Sequence, residues 1–213
     1  MKKIIDRINL FFDRKSDNPK KYSTMNEQEE RELFYEEIKD SNFYLEFGSG
    51  GSTFDALKII KNGKICSIEG SSDWIEHLKK WNFIQKNINS GKLNLVYTYI
   101  GKTGEWSTPL EDDKVKLFPN YYSILKTAYA KKADTILVDG RFRVACILNA
   151  IKYLDNNVKI LVHDFTNRPH YHIVLKYCDI TKNAGTLCVL KIKEHINLTE
   201  LDHDILLHKY DLR

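Results

Sequence analysis

The feature that most constrains the fold is a regular alternation of short apolar segments with helical patterns. Strands are predicted at Asn42 to Phe47, Lys64 to Ile68, Leu93 to Ile100, Asp134 to Val138, Val158 to Val162 and near Leu187 to Ile192. Helical patterns fill most of the intervals, and parallel strands need crossovers of that kind. The sequence therefore predicts an α/β fold, a doubly wound and mostly parallel sheet with helices on both faces.

The helical patterns can be bounded by their caps. Helices are predicted at Thr24 to Lys39 (with Glu27 completing a capping box), Ser52 to Ile60, Ser71 or Ser72 to Lys86, Tyr121 to Ala130, Val144 to Leu154 and His170 to Tyr177. Residues 101–120 have no regular period and contain two prolines. A long irregular connection inside a domain is typical of a lid or a substrate loop.

Size and charge place this chain among ordinary globular domains. It has 213 residues, 42% of them hydrophobic, and a net charge of +4. Residues 1–22 carry seven basic and three acidic side chains, which is the whole excess, so the remainder is balanced. A balanced body does not favour a nucleic-acid partner. We expect an N-terminal basic amphipathic arm at 1–24 and one domain at 25–213.

The arm has two interpretations. Its apolar residues (Ile4, Ile5, Ile8, Phe11 and Phe12) share one side of a helix and alternate with basic residues. Such a helix can bind an anionic membrane surface, or it can pack on the domain or on a second subunit. We favour the packed alternative, and the oligomeric state stays open.

The four cysteines form no metal or redox motif. Cys66, Cys146, Cys178 and Cys188 are widely spaced, and the sequence around the first, second and fourth is mostly apolar. Free cysteine in such a setting behaves as a small buried hydrophobe. Together with apolar runs far shorter than the roughly 18 residues of a membrane span, this predicts a protein of the reducing cytoplasm.

A glycine-rich turn follows the first strand, and an acid ends the second. The turn reads Glu46-Phe47-Gly48-Ser49-Gly50-Gly51, and Glu69 follows Gly48 by 21 residues, with Gly70 after it. Glycines let a backbone approach a ligand closely, and an acid at that distance can accept hydrogen bonds from a ribose. The position of a third dinucleotide-binding glycine is occupied by Thr53, which disfavours a dinucleotide.

These residues resemble the first motif of the class I S-adenosylmethionine-dependent methyltransferases, which have a Rossmann-like fold. The resemblance covers roughly Phe43 to Ile192 in the order of elements. It implies cofactor contacts from Glu46 near the methionine end and from Glu69 at the ribose. It also implies that Gly48, Ser49, Gly50 and Gly51 lie under the ribose, with Gly70 and Asp139 beside them.

The ends of the fourth and fifth strands resemble small-molecule O-methyltransferases of this superfamily. The segments are Val138-Asp139-Gly140 and His163-Asp164. In some relatives the two aspartates hold a divalent metal, which would lower the pKa of an acceptor hydroxyl. Here Arg141-Phe142-Arg143 replaces the usual continuation, so we favour a metal-free site with Asp139, His163 and Asp164 as catalytic residues and His163 as general base.

The two arginines indicate the acceptor side. Guanidinium groups bind carboxylate or phosphate in bidentate fashion, so Arg141 and Arg143 are predicted substrate-binding residues that suit an anionic acceptor, unless they pair with surface acids. The predicted function is methyl transfer to a small-molecule or glycan-type acceptor, at oxygen. The alternatives are aminopropyl transfer on the same scaffold and a non-catalytic domain that binds a partner or membrane through its arm.

Overall fold

The computed structural model describes residues 10–20, 25 and 27–212. Its helices are α1 (Gln28–Ile38), α2 (Gly51–Ile59), α3 (Ser72–Lys79), α4 (Asn82–Asn89), α5 (Arg143–Tyr153) and α6 (Leu198–Leu207). Its strands are β1 (Phe43–Phe47), β2 (Lys64–Glu69), β3 (Leu93–Tyr97), β4 (Thr135–Val138), β5 (Lys159–Val162), β6 (Cys178–Ala184) and β7 (Leu187–Ile192). Short 3-10 helices lie at Glu105–Ser107, Asp112–Asn120, Ser123–Lys126, Ala130–Lys132 and Pro169–Lys176.

The strands form one seven-stranded sheet in the order β3-β2-β1-β4-β5-β7-β6. The first five strands are parallel, and β7 pairs with β5 and β6 in antiparallel orientation. Apolar clusters cover both faces, as buried parallel strands require. The predicted doubly wound, mostly parallel α/β sheet is confirmed. The strand order reverses between β1 and β4, and ligands of such folds bind at the carboxyl ends of the strands there.

Three sequence predictions for individual elements are wrong. The helix predicted to run to Lys86 is two helices, because the chain breaks before Trp81, whose buried ring packs edge-on against Phe54 at 5.4 Å. The helix predicted at Tyr121 to Ala130 is two short 3-10 turns, in which Leu125 and Ala130 are buried. The segment near His170 to Tyr177 is likewise a 3-10 helix.

Two elements were not predicted at all. Strand β6 is an edge strand, mostly exposed and polar, so it lacks the apolar alternation that identifies a strand. Helix α6 contributes Leu201 and Asp204 to the interior, too few apolar positions to stand out. The first helix begins at Gln28, and its predicted cap Thr24 lies outside the described residues.

The described part of the arm packs on the domain. Residues 10–15 are helical, and Leu10 contacts one of the two apolar clusters. The Arg14 guanidinium lies 5.9 Å from the centre of the Trp81 ring, and the Lys58 Nζ donates to the Pro19 carbonyl at 2.6 Å. These contacts match the packed alternative for residues 10–20, and the apolar residues Ile4, Ile5 and Ile8 lie outside the described residues.

None of the helices in the described part of the chain is both long and apolar enough to traverse a bilayer. All four cysteines are free thiols inside the protein. Burial raises the pKa of Cys66 and Cys178 to about 12, so these thiols are protonated and unreactive at neutral pH.

Candidate functional site at the carboxyl ends of the strands

The glycine turn after β1 is held by a buried carboxyl group. The Glu46 side chain is completely buried and accepts hydrogen bonds from the hydroxyls of Ser67 at 2.6 Å, of Tyr44 at 3.0 Å and of Thr53. Thr53 Oγ1 in turn accepts from the Gly50 backbone N–H at 2.9 Å. Glu46 therefore holds the turn in place from the interior of the protein.

Gly48 and Gly50 are glycines for different structural reasons. Gly48 has φ +96°, and a Cβ there would lie 2.8 Å from the Gly140 backbone, so Gly48 is required where the turns after β1 and β4 touch. A Cβ on Gly50 would meet nothing within 4 Å. Gly50 therefore faces open space, and Gly51 begins helix α2 directly behind it.

Gly70 is explained by packing. A Cβ at this position would lie 2.6 Å from the Ile100 Cδ1 atom, which belongs to the chain that leads into the 101–120 segment. The absence of a side chain at Gly70 lets that segment lie against the end of β2. Gly70 therefore contributes to the site through its backbone N–H and through the room that it leaves.

Glu69 connects the ends of β1 and β2 with the 101–120 segment. Its Oε1 atom accepts from the backbone N–H groups of Gly70 at 2.7 Å and Ser71 at 2.9 Å, and also from the Ser107 hydroxyl. Its Oε2 atom accepts from the Ser49 N–H at 3.2 Å. Since a carboxylate offers about four lone-pair positions, two on each oxygen, Oε2 retains one for a further donor. Ser107 is a third donor at Oε1, and a ligand hydroxyl could take its place if Ser107 moved.

Ser49 ties the same region to helix α3. Its hydroxyl lies 2.6 Å from the Ser67 hydroxyl, and its carbonyl accepts from the Trp74 indole N–H at 2.7 Å. The backbone of the turn is thus fixed on both sides of Gly50, so that a ligand would meet a preorganised surface.

The 101–120 segment is more ordered than predicted. Thr103 and Pro109 form a β-bridge, and most of the segment after Glu111 is a 3-10 helix. Trp106 and Ser107 both have positive φ, of 55° and 56°. Two consecutive non-glycine residues in this conformation are strained, and such strain is characteristic of functional segments. The Trp106 side chain is 85% exposed beside the Ser107 contact with Glu69.

A cluster of charged side chains lies where β4 and β5 end. Asp139, His163 and Asp164, predicted from the sequence to meet, do so: their nearest ligand atoms all lie within 4.8 Å of one another. His163 Nδ1 lies 3.0 Å from Asp139 Oδ1 and 4.0 Å from Asp164 Oδ1. Asp164 has φ +58°, a second strained position at this edge of the sheet.

Glu30 of helix α1 completes this cluster and was missed by the sequence analysis. It is buried, and its Oε2 lies 3.5 Å from His163 Nε2. Its Oε1 is anchored by the Thr186 N–H and hydroxyl, at 2.6 and 2.8 Å. Its position in the sequence could have indicated this, because Glu30 precedes Leu33 by three residues and Phe34 by four and so lies on the apolar side of its helix.

The charges around His163 set its protonation. Burial lowers the pKa of the imidazole, but the hydrogen bond with Asp139 and the negative charges of Asp139, Asp164 and Glu30 outweigh burial and raise the pKa above its ordinary value. The ring therefore holds its proton to higher pH than a free histidine.

Arg143 is a buried brace between β4 and β5. Its Nε donates to the Gly140 carbonyl at 3.0 Å, and NH2 lies 3.0 Å from the Asp139 carbonyl and 3.1 Å from Asp139 Oδ1. NH1 donates to the His163 carbonyl and, at 3.2 Å, to Asp164 Oδ2. These contacts engage all three guanidinium nitrogens and Arg143 is only 4% exposed, so it is not available for the substrate contact predicted from the sequence.

The two aspartates are already neutralised by arginine. Asp164 Oδ2 also accepts from Arg168 at 2.9 Å, and Arg143 pairs with both Asp164 and Asp139. Three clustered ligand atoms could in principle hold a cation. However, a divalent ion would have to compete with two guanidinium groups for the same carboxylates, and this donor set fits such an ion poorly.

No protein-family model matches the chain, and no curated protein matches it either. Solved structures do match. A methyltransferase-like protein from Silicibacter pomeroyi superposes with a TM-score of 0.76 at 24% identity, covering 89% of this chain and 98% of that one. A ribosomal protein L11 methylase from Lactobacillus delbrueckii subsp. bulgaricus superposes with a TM-score of 0.50 at 13% identity, covering 81% and 82%. At these identities the likeness is one of fold, and the chain has the Rossmann-like α/β fold of methyltransferases.

Proposed function

We propose that this protein is an S-adenosylmethionine-dependent methyltransferase that methylates a hydroxyl of a small-molecule or glycan-type acceptor. The observation that carries the proposal is the combination of Gly50, whose Cβ position is open, with the Glu69 carboxylate at the adjacent carboxyl ends of β1 and β2, beside the point where the strand order reverses. The likeness in fold to a methyltransferase-like protein supports it. Neither aminopropyl transfer nor a non-catalytic role gains support from the comparisons.

The residues at the crevice fit an adenosine-type cofactor. Glu69 Oε2 has a lone-pair position for a ribose hydroxyl, and Oε1 offers a second when Ser107 withdraws. The open face of Gly50 lets the ligand approach the backbone closely. In the proposed site Glu46 acts indirectly, by positioning Gly50 through Thr53.

The bound cofactor would supply a methyl group on a sulfonium, which needs little further activation. Transfer of that group to a hydroxyl would release the hydroxyl proton, which a residue of this chain must accept. In this proposal His163 takes that proton, on Nε2 in the tautomer that donates Nδ1–H to Asp139. Glu30 and Asp139 would then stabilise the imidazolium.

Asp139, Asp164 and the arginines have distinct parts in this proposal. Asp139 orients His163, and Asp164 is held by Arg143 and Arg168 as part of the rigid floor between β4 and β5. The chemistry needs no divalent metal, in keeping with the neutralised aspartates. The free, buried thiols support a reducing, cytoplasmic location.

The experiment that tests the proposal is a calorimetric titration with S-adenosylhomocysteine, the demethylated product. We expect saturable binding and a raised unfolding temperature. Glu69→Gln should weaken binding by about 10- to 150-fold, the range for losing a charged hydrogen-bond acceptor. Glu76→Gln, an exposed acid in α3, is the matched control. Absence of binding to the wild-type protein would refute the proposal.

A further inference from the structure

Two arginines, Arg141 and Arg143, follow β4 and differ in burial and in hydrogen bonding. Arg143 is almost completely buried, and each of its three guanidinium nitrogens donates to a protein oxygen. Arg141 is half-buried, its Nε atom is buried without a hydrogen-bond partner, and no acid within the described residues forms an ion pair with it. Of the two arginines, Arg141 is therefore the one with capacity to bind a ligand.

The surroundings of Arg141 make this unpaired charge costly. Burial lowers the pKa of its guanidinium, and the positive charge of Arg143 lowers it further. The aromatic hydroxyls of Tyr121 and Tyr171 are the polar neighbours that act in the opposite direction. A partly desolvated cation without a counterion is unfavourable, and an anion at this place would relieve the cost.

Every acid of the neighbouring cluster is already engaged. Asp139 pairs with Arg143 and His163, Asp164 pairs with Arg143 and Arg168, and Glu30 faces His163. Arg141 forms an ion pair with none of these three carboxylates. The uncompensated positive charge is therefore that of Arg141.

Resting on the proposed function, we infer that Arg141 binds an anionic oxygen group, a carboxylate or a phosphate, of the methyl acceptor. Arg141 follows Gly140 directly at the carboxyl end of β4, the edge of the sheet at which His163 and Gly50 also lie. An acceptor anchored there by its anion would present its hydroxyl to the same crevice. The fork of the guanidinium matches the planar carboxylate and the phosphate group in bidentate geometry.

The test uses three aromatic probes of similar size: benzoate, phenyl phosphate and the neutral benzamide. Each is titrated into the whole protein, with and without saturating S-adenosylhomocysteine, and binding is followed by calorimetry or NMR. We expect the anions to bind more tightly than benzamide, and the tighter of the two anions identifies the group. Arg141→Gln should weaken anion binding by about 10-fold or more, while Arg141→Lys should retain part of it.

Two further measurements separate the inference from its rivals. Lys131→Gln removes the same charge near the amino end of β4, at the opposite edge of the sheet, and should leave anion binding unchanged. The affinity of Arg141→Gln for S-adenosylhomocysteine should equal that of wild type. If that affinity falls instead, Arg141 serves the cofactor, and the inference is overturned.

Anion binding that is equal in Arg141→Gln and wild type would also overturn it, as would an affinity for both anions no greater than that for benzamide. Failure of the wild-type protein to bind S-adenosylhomocysteine would refute the proposed function instead. Titration without that ligand still measures whether Arg141 binds an anion. Circular dichroism of each variant checks that it is folded.

Discussion

The Ser107 hydroxyl donates a hydrogen bond to Oε1 of Glu69, joining the strained turn of the 101–120 segment to the end of β2. Glu69 is the carboxylate that we assign to the ribose of the cofactor. The segment therefore places its own hydroxyl where a ligand hydroxyl would bind. Ligand binding at Glu69 and this internal contact compete for the same oxygen.

This competition predicts that removing the Ser107 hydroxyl strengthens cofactor binding. Ser107→Ala should lower the dissociation constant of S-adenosylhomocysteine by about 3- to 10-fold, because a hydrogen bond contributes roughly 0.5 to 1.5 kcal/mol net. Isothermal titration calorimetry measures it. Ser90→Ala, which removes an exposed hydroxyl bonded to the Asn87 carbonyl, is the control. Weaker binding by Ser107→Ala would mean that Ser107 contacts the ligand and does not compete with it for Glu69.

The two glycines of the turn should separate binding from folding. Gly50→Val introduces a side chain into open space, so we expect a folded protein that no longer binds S-adenosylhomocysteine. Gly48→Ala places a Cβ against Gly140 at a positive φ, so we expect a lower unfolding temperature, with a loss of roughly 1 to 3 kcal/mol. Thermal denaturation and calorimetry of both variants test this pair. Normal binding by Gly50→Val would show that the turn only connects β1 to α2.

The acids around His163 should be visible in its titration. By NMR we expect the His163 ring to titrate above its ordinary value of about 6.5, because Asp139, Asp164 and Glu30 together outweigh burial. Asp139→Asn should lower that pKa. If His163 is the general base, methyl transfer should rise with pH as the ring loses its proton. A pKa at or below the ordinary value would contradict this effect of the charge cluster.

The titration of His163 should also change the free energy of unfolding with pH, in a direction that the raised pKa predicts. A histidine with a raised pKa in the folded state stabilises the fold fully below its unfolded pKa of about 6.5. That contribution is lost as the pH rises through the folded pKa. His163→Gln should therefore flatten the pH dependence of the unfolding free energy just above pH 6.5.

The neutralised aspartates predict that divalent metal is dispensable. Treatment with a chelator should leave the unfolding temperature and the affinity for S-adenosylhomocysteine unchanged, because Arg143 and Arg168 already compensate Asp139 and Asp164. Titration with magnesium or manganese should give no saturable binding. Saturable manganese binding that disappears in Asp139→Asn would reverse this conclusion.

Glu46 should make stability depend on pH in the neutral range. Burial raises its pKa to about 7, although hydroxyl donors from Ser67 and Thr53 oppose the shift. Since the folded state holds this proton more tightly than the unfolded one, its contribution to stability is full below about pH 4.5. It is lost as the pH rises through about 7, a change on the order of 3 kcal/mol. Denaturant unfolding of Glu46→Gln between pH 5 and 8 should show that dependence removed, whereas an unchanged slope would assign it to another group.

The fold class and the candidate site residues can be predicted from the amino-acid pattern alone. Apolar runs alternating with helical patterns specify a parallel sheet because each strand must bury both faces. The carboxyl ends of parallel strands meet at one edge, so the strand pattern alone places Glu69, Asp139 and His163 at the same edge of the sheet. The Gly48 to Gly51 turn could be recognised for the same reason.

The contacts of each residue, and whether its side chain is free to bind a ligand, follow only from the tertiary structure. Arg141 and Arg143 look equivalent in sequence. Only the packing shows that Arg143 donates hydrogen bonds to residues after β4 and β5, whereas the buried Nε of Arg141 has no hydrogen-bond partner. Glu30 and Ser107 reach the site from distant parts of the chain, from helix α1 and from the 101–120 segment. Local periodicity contains no information about such long-range contacts, because they depend on how separate elements dock once the sheet has formed.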